Sequence, residues 1–361
     1  MRPEQRHQFG KLALPMAIAT GVVICVAAGA IWVTQAKASS SSTATPQAPL
    51  ASATPSSAAR QESAEESLQR YASICESAVR ERRFDLAIER CQEFTQVESL
   101  AAKAYASMAV AAMLREGRAN SEQAQSAKYA EQAAKLKDPL GQMILAFHAL
   151  NGYSATNLNE QQTETFLLEA QKGGVDKAAL LLDSMKQGRQ CREQAKVQLF
   201  ELPMFCLNRG ELRSALKAMG LREQEQNNGS EREVFNLGDL LPGAKQLTLQ
   251  YARETPSYLL KPALLSYRFS HQDPLALAQT QQRIVEGLRK KYGEPLRSAD
   301  ASAPSQWRTS DGIEIELRHE GNAELLLSYQ MASRVTALRE QTLAQEQRRL
   351  EKLSAQTLKA I

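Results

Sequence analysis

The sequence predicts a mainly α protein: an N-terminal transmembrane helix, an α-solenoid of helical pairs, a small α+β domain and a long C-terminal helix. Three observations carry this. An uncharged apolar run lies near the start, glycine-closed helical segments recur at spacings of 35 and 36 residues, and strand-like alternation is confined to 230–330. The expected parts are a cytoplasmic flank over 1–11, the membrane span over 12–34 and a linker over 35–63. A helical repeat domain follows over 64–222, then the α+β domain over 230–330 and the final helix over 331–361. A chain of 361 residues has room for two or three domains of ~100–200 residues each.

Leu12 to Val33 reads LALPMAIATGVVICVAAGAIWV, without a charge. As a helix its 22 positions cover ~33 Å, enough for a hydrocarbon core of ~30 Å. Arg2, Arg6 and Lys11 precede it, opposed only by Glu4, which places the N-terminus in the cytoplasm. The reading is a bacterial inner-membrane protein, single-pass, with a periplasmic body. The alternative is a signal peptide cleaved after Ala38, at the Ala36-Lys37-Ala38 pattern, leaving a soluble periplasmic protein. Both export the rest of the chain. Ala17, Gly21, Cys25 and Gly29 form a small-residue stripe that offers a homo-oligomer contact in lipid. Ile24 before Cys25 argues against lipid attachment there.

Ala38 to Arg60 is dominated by Ser, Thr, Ala and Pro, a composition that packs no core and serves as a tether. Four cysteines follow: Cys75, Cys91, Cys191 and Cys206. An even number in an exported chain implies disulfides. Cys75 and Cys91 each lie eight residues from Arg83, where two helices meet. In an antiparallel hairpin they face each other ~12 Å from the turn. Cys191 and Cys206 bracket Leu202-Pro203 and close a second loop. The absence of C-x-x-C excludes a thioredoxin-type motif and a zinc ribbon.

In the helical region Gly117, Gly152 and Gly188 each end a helix, and Ala134 superposes on Ala170. Repeats start after Asp138-Pro139 and Gly173-Gly174. The alanines allow close helix packing, and Leu145, Phe147, Leu150, Phe166 and Leu167 bury faces that one hairpin cannot cover. The run Ala133–Gly152, with its weaker copy Glu169–Gly188, resembles the Sel-one-like repeat, a relative of the tetratricopeptide repeat. Arg83 to Phe94 resembles the second helix of a tetratricopeptide unit. The likeness covers roughly 65–190. It implies a protein-binding scaffold whose groove is lined by Tyr105, Met108, Met113, Tyr129 and His148.

Beyond residue 229 the pattern turns to strands. Leu247, Leu249, Tyr251 and Leu265, Tyr267, Phe269 alternate; Ile313, Ile315, Leu317 answer Leu325, Leu327, Tyr329 across Asp311-Gly312 and Gly321-Asn322 turns. Asp273-Pro274 starts a helix that Gly293 closes. The expectation is a sheet of four or five antiparallel strands crossed by one helix. From about Met331, Val335, Leu338, Leu343, Leu350, Leu353 and Leu358 make a thin stripe, suited to a coiled coil or to docking on the chain's own domain.

No catalytic constellation emerges. His7, His148, His271 and His319 lack metal-site spacing, and no phosphate-binding loop or nucleophile elbow occurs. Carboxylates are interspersed with lysines and arginines as on a solvated face. A net charge of +4, from 44 Lys+Arg against 40 Asp+Glu, does not suggest a nucleic-acid binder. The expected function is therefore a non-enzymatic scaffold or adaptor, without cofactor, catalytic residue or metal, that binds other envelope proteins in a secretion or envelope-assembly complex. The alternatives are a periplasmic sensor or inhibitor of a cell-envelope enzyme and, third, a cell-wall hydrolase.

Overall fold

Helices fill the first part of the chain and an antiparallel sheet the second. The computed structural model describes residues 63–360, apart from 116–119, 154–157, 225–230, 239, 242 and 298–303. Helix α1 (Ala64–Tyr71) opens on a capping box, in which Ser63 accepts from the Glu66 N–H and the Glu66 carboxylate accepts from the Ser63 N–H. A π-helical turn at Ala72–Glu76 and the short α2 (Ser77–Arg80) continue it. Arg82, at φ 61°, reverses the chain into α3 (Phe84–Gln92). The Cys75–Cys91 disulfide closes this hairpin, with Cα atoms 4.9 Å apart.

Helices α4 (Ala101–Leu114), α5 (Asn120–Lys135), α6 (Pro139–Leu150), α7 (Glu160–Lys172) and α8 (Lys177–Gln194) follow, each packed on its predecessor. Small residues make that packing close. A Cβ on Gly141 of α6 would lie 2.3 Å from the Ala133 Cβ of α5, so the two backbones nearly touch. Asp138 caps α6 by accepting from the Gly141 N–H at 2.8 Å, and Pro139 occupies the first turn, where no N–H is needed. Gly188 does not end a helix as expected: α8 runs through it to Gln194. There a Cβ would meet the Cys206 carbonyl at 3.4 Å, so the small residue seats the 3-10 turn Met204–Cys206, which carries one half of the second disulfide, Cys191–Cys206. Gly117 lies outside the described residues.

After α9 (Arg209–Ala218) come β1 (Arg222–Glu223), β2 (Arg232–Asn236), β3 (Ala244–Glu254), β4 (Leu259–Ser270), α10 (Pro274–Tyr292), β5 (Ser305–Arg308), β6 (Ile313–His319), β7 (Glu324–Met331) and α11 (Ala332–Ala360). The strands form one antiparallel seven-stranded sheet ordered β1-β2-β3-β4-β7-β6-β5. Leu265 pairs with Tyr329, Tyr267 with Leu327, and Ile315 with Tyr329 from the other side. One face is therefore apolar, and α9, α10 and the segment around Val197–Leu207 cover it. The opposite face is polar, as an open antiparallel sheet permits. There Gln306 donates to Glu316 and Gln330 to Glu314, each at 3.0 Å.

The expected fold class is thus corrected. The chain is not mainly α with a small appended sheet: the largest core is built on seven strands, and residues 197–221, expected with the helices, are part of it. Helix and sheet content together make the class α+β. Among the described residues no helix is long and apolar enough to cross a membrane, and the expected transmembrane helix is not among them. Residues 12–34, with Ala17, Gly21, Cys25 and Gly29, lie outside them.

Helices and sheet meet at a buried polar seam. Fully buried Asn151, just after α6, accepts from the Leu260 N–H of β4 at 2.7 Å and donates to the Phe147 carbonyl at 3.1 Å. Arg213 of α9 donates to the Gly152 carbonyl at 2.6 Å. A Cβ on Gly210 would stand 2.0 Å from the Ala149 carbonyl, so α9 crosses the end of α6 in direct backbone contact. Arg209 donates to Glu233 at 2.7 Å, and Tyr251 donates to the other oxygen of that carboxylate at 2.7 Å. All three are buried, so the pair is hydrogen-bonded as buried charges must be.

Candidate functional site

The five residues expected along a helical groove separate into two groups. Met108 and His148 are 0% exposed and line no open surface. Met108 is buried because α4 carries apolar residues around much of its circumference and is packed by both neighbours. His148 is held by α5: Ser126 donates to the Ala109 carbonyl at 2.7 Å, so the His148 Nε2–H donates to the Ser126 oxygen at 2.8 Å. Its buried Nδ1 has no partner among the described residues. Burial alone pushes the imidazole pKa down to about 4, so the ring is a neutral core group. Both residues are corrected from groove to core.

Tyr105 and Tyr129 are half-buried and border the same core cluster as Tyr71, Phe94 and Met108. Tyr129 accepts from Gln125 at 2.9 Å. Met113 is half-buried but is not part of that cluster. Two of the five residues thus come together, at one edge of α4 and α5.

The second surface is α11. Its first ten residues are fastened to the sheet. Arg334 donates to the Phe205 carbonyl at 2.6 Å and to the Pro262 carbonyl at 3.2 Å, and its guanidinium faces Glu254 at 3.5 Å. Gln341 clamps the backbone of Arg253, accepting from its N–H at 3.1 Å and donating to its carbonyl at 2.9 Å. Residues 342–355 are exposed without interruption. Leu343, Leu350 and Leu353 show 70%, 57% and 49% of their surface. The docked reading therefore holds for the first part of this helix, while residues 342–355 are exposed.

Near the root of α11 the β3–β4 hairpin buries Lys261, whose amine lies 3.7 Å from Glu254. Burial lowers its pKa, partly opposed by Glu254. Ser184 of α8 reaches Ser257 at 3.2 Å and Glu254 at 3.4 Å. These contacts tie α8, the hairpin and α11 together. No groups of His, Cys, Asp and Glu that could hold a metal ion occur among the described residues.

A third feature escaped sequence reasoning. A cavity of about 450 Å³ lies between α10 and the apolar sheet face. Its walls come from residues 198–200 and 241, from 267 and 269 of β4, from 280, 283 and 284 of α10 and from 327 and 329 of β7, segments whose alternation reads only as core. No family model matches the chain, and no curated protein or solved structure shows significant similarity to it.

Proposed function

We propose that the protein is an exported, non-enzymatic adaptor that holds another envelope protein through an amphipathic helix laid along the exposed half of α11. The observation that carries this reading is the exposed leucine stripe. Leu343, Leu350 and Leu353 follow spacings of seven and three, so they share one narrow helix face. Burying a leucine side chain contributes about 1.5–3 kcal/mol, and three on one seam favour a second helix over water. A second copy is a poor occupant. Glu346 falls on the same seam between Leu343 and Leu350, and parallel self-pairing would set one Glu346 against the other. A partner helix with a lysine or arginine opposite that position meets both requirements.

The resemblance of the helical region to Sel-one-like and tetratricopeptide repeats supports a partner-holding role, with half-exposed Tyr105 and Tyr129 as further contact points. Export is supported by the uncharged run Leu12–Val33 and by the Cys75–Cys91 and Cys191–Cys206 bonds, which belong to oxidising compartments. The α10 cavity favours a second reading, a ligand-responsive sensor or inhibitor.

Truncation after Gln341 tests the adaptor reading. The thermal midpoint should stay within about 2 °C of the full chain, because residues 342–355 are exposed throughout, while the co-purifying envelope partner is lost. Retention of that partner by the truncated chain would place the binding surface elsewhere.

A further inference from the structure

We propose that the cavity between α10 and the sheet binds a small amphipathic carboxylate: an apolar body with one internal hydrogen-bonding group, and an anionic head at the mouth. The inference goes beyond the adaptor reading and does not depend on it. Its volume of about 450 Å³ falls within the range of small-molecule sites, roughly 300–1,000 Å³. Leu199, Phe200, Phe269, Ile284 and Leu327 make its walls apolar.

Two of the polar groups in that lining, the Tyr267 hydroxyl and the Arg283 guanidinium, keep hydrogen-bonding capacity that the fold leaves over. Tyr267 of β4 lines the cavity and is 3% exposed, and its buried hydroxyl has no hydrogen-bond partner among the described residues. Burial, then the neighbouring Tyr329 and Tyr292 hydroxyls, hold the phenol well above its ordinary pKa, so it stays a donor. An unsatisfied buried hydroxyl carries a desolvation penalty that a bound acceptor removes. Arg283 of α10 stands exposed at the mouth. Its Nε donates to the Gln279 carbonyl of its own helix at 3.3 Å, and among the described residues no carboxylate pairs with it. A free guanidinium fork is suited to a carboxylate head.

The backbone beside the cavity is also held in an uncommon conformation. Leu199 and Leu202 exchange two backbone hydrogen bonds of 3.0 Å, enclosing Phe200 and Glu201 at φ 53° and 63°. A two-residue turn of this hand normally takes Asn-Gly, and a bulky residue there is strained. The turn is pinned from both sides: Asp311 accepts from the Lys196 and Val197 N–H groups, and Lys291 donates to the Gln198 carbonyl at 2.8 Å. The result is Phe200 set edge-on to Tyr267, ring centroids 6.1 Å apart. The strain places an aromatic wall against the unpaired hydroxyl.

Calorimetric titration of the purified full chain with three probes tests this: N-octanoylglycine, decanoate (no internal amide) and decanol (no charge). N-octanoylglycine should bind most tightly. Tyr267→Phe should raise the melting temperature of the unliganded protein by about 2 °C, since it deletes an unsatisfied group. It should weaken N-octanoylglycine about tenfold and leave decanoate unchanged. Arg283→Gln should weaken both acids about tenfold and leave decanol unaffected. The proposal is overturned if N-octanoylglycine gives no saturable binding at millimolar concentration, or if the acids and decanol bind alike. An unchanged N-octanoylglycine affinity in Tyr267→Phe overturns it too. So does a lower melting temperature for that variant, which would mean the hydroxyl is already satisfied.

Discussion

At the scale of single residues, the core is governed by how each buried polar group finds a partner. His148 shows the consequence for pH. Its folded pKa of about 4 lies below the ordinary 6.5, so below pH 6.5 the unfolded chain binds the proton more readily than the folded one. The contribution of the neutral ring is fully present above about pH 6.5 and is lost as pH falls towards 4. At roughly 1.4 kcal/mol per unit the loss reaches about 3 kcal/mol. Unfolding free energies measured from pH 7.5 to 4.5 should fall less steeply in His148→Gln than in the parent; equal slopes would show that His148 does not titrate this way. Residue-level legibility was uneven for a physical reason. The Cys75–Cys91 pair could be read because a helical hairpin places symmetric positions face to face. Met108 and His148 could not, because a helix packed on several sides hides the faces that periodicity would assign to solvent.

At the scale of elements, small residues set how closely the helices approach. Ala133 and Ala134 in α5 face Gly141 in α6, and Gly210 in α9 abuts the end of α6. Gly141→Ala should force α5 and α6 apart, because a Cβ 2.3 Å from that of Ala133 has no room. The expected destabilisation is about 1–3 kcal/mol or more, the usual range for overpacking, measurable by urea unfolding. A loss below about 0.5 kcal/mol would mean the pair separates freely. The strands from Ala244 onward were legible, since a sheet with one apolar face alternates strictly. β1 was not, being only two polar residues long, whereas β2 falls within the region read as strands beyond residue 229. The break attributed to Gly188 was misread because a glycine needed for close approach inside α8 looks the same in sequence as one needed to end a helix. The segment 197–221 was placed within the helical repeat domain, although its apolar residues complete the core of a sheet that starts after it.

At the scale of the whole molecule, the helices, the seven-stranded sheet and the root of α11 are joined through Asn151, Arg213, Ser184 and Arg334, while residues 342–355 of α11 extend from that body uncovered. The sequence reading identified the helices, the four longest strands and the final helix. It missed the α10 cavity and the buried seam, whose members lie up to 109 positions apart in the chain and meet only through the fold. The central functional claim is that the exposed stripe of α11 is covered by a helix of another protein. Photo-crosslinking in intact cells from a reactive amino acid at Leu350 tests it most directly. The account predicts one discrete adduct with an envelope protein, mapped to a helix bearing a basic residue opposite Glu346 and abolished by Leu343→Asp with Leu353→Asp. Adducts solely between two copies of this chain, or none at all, would contradict it.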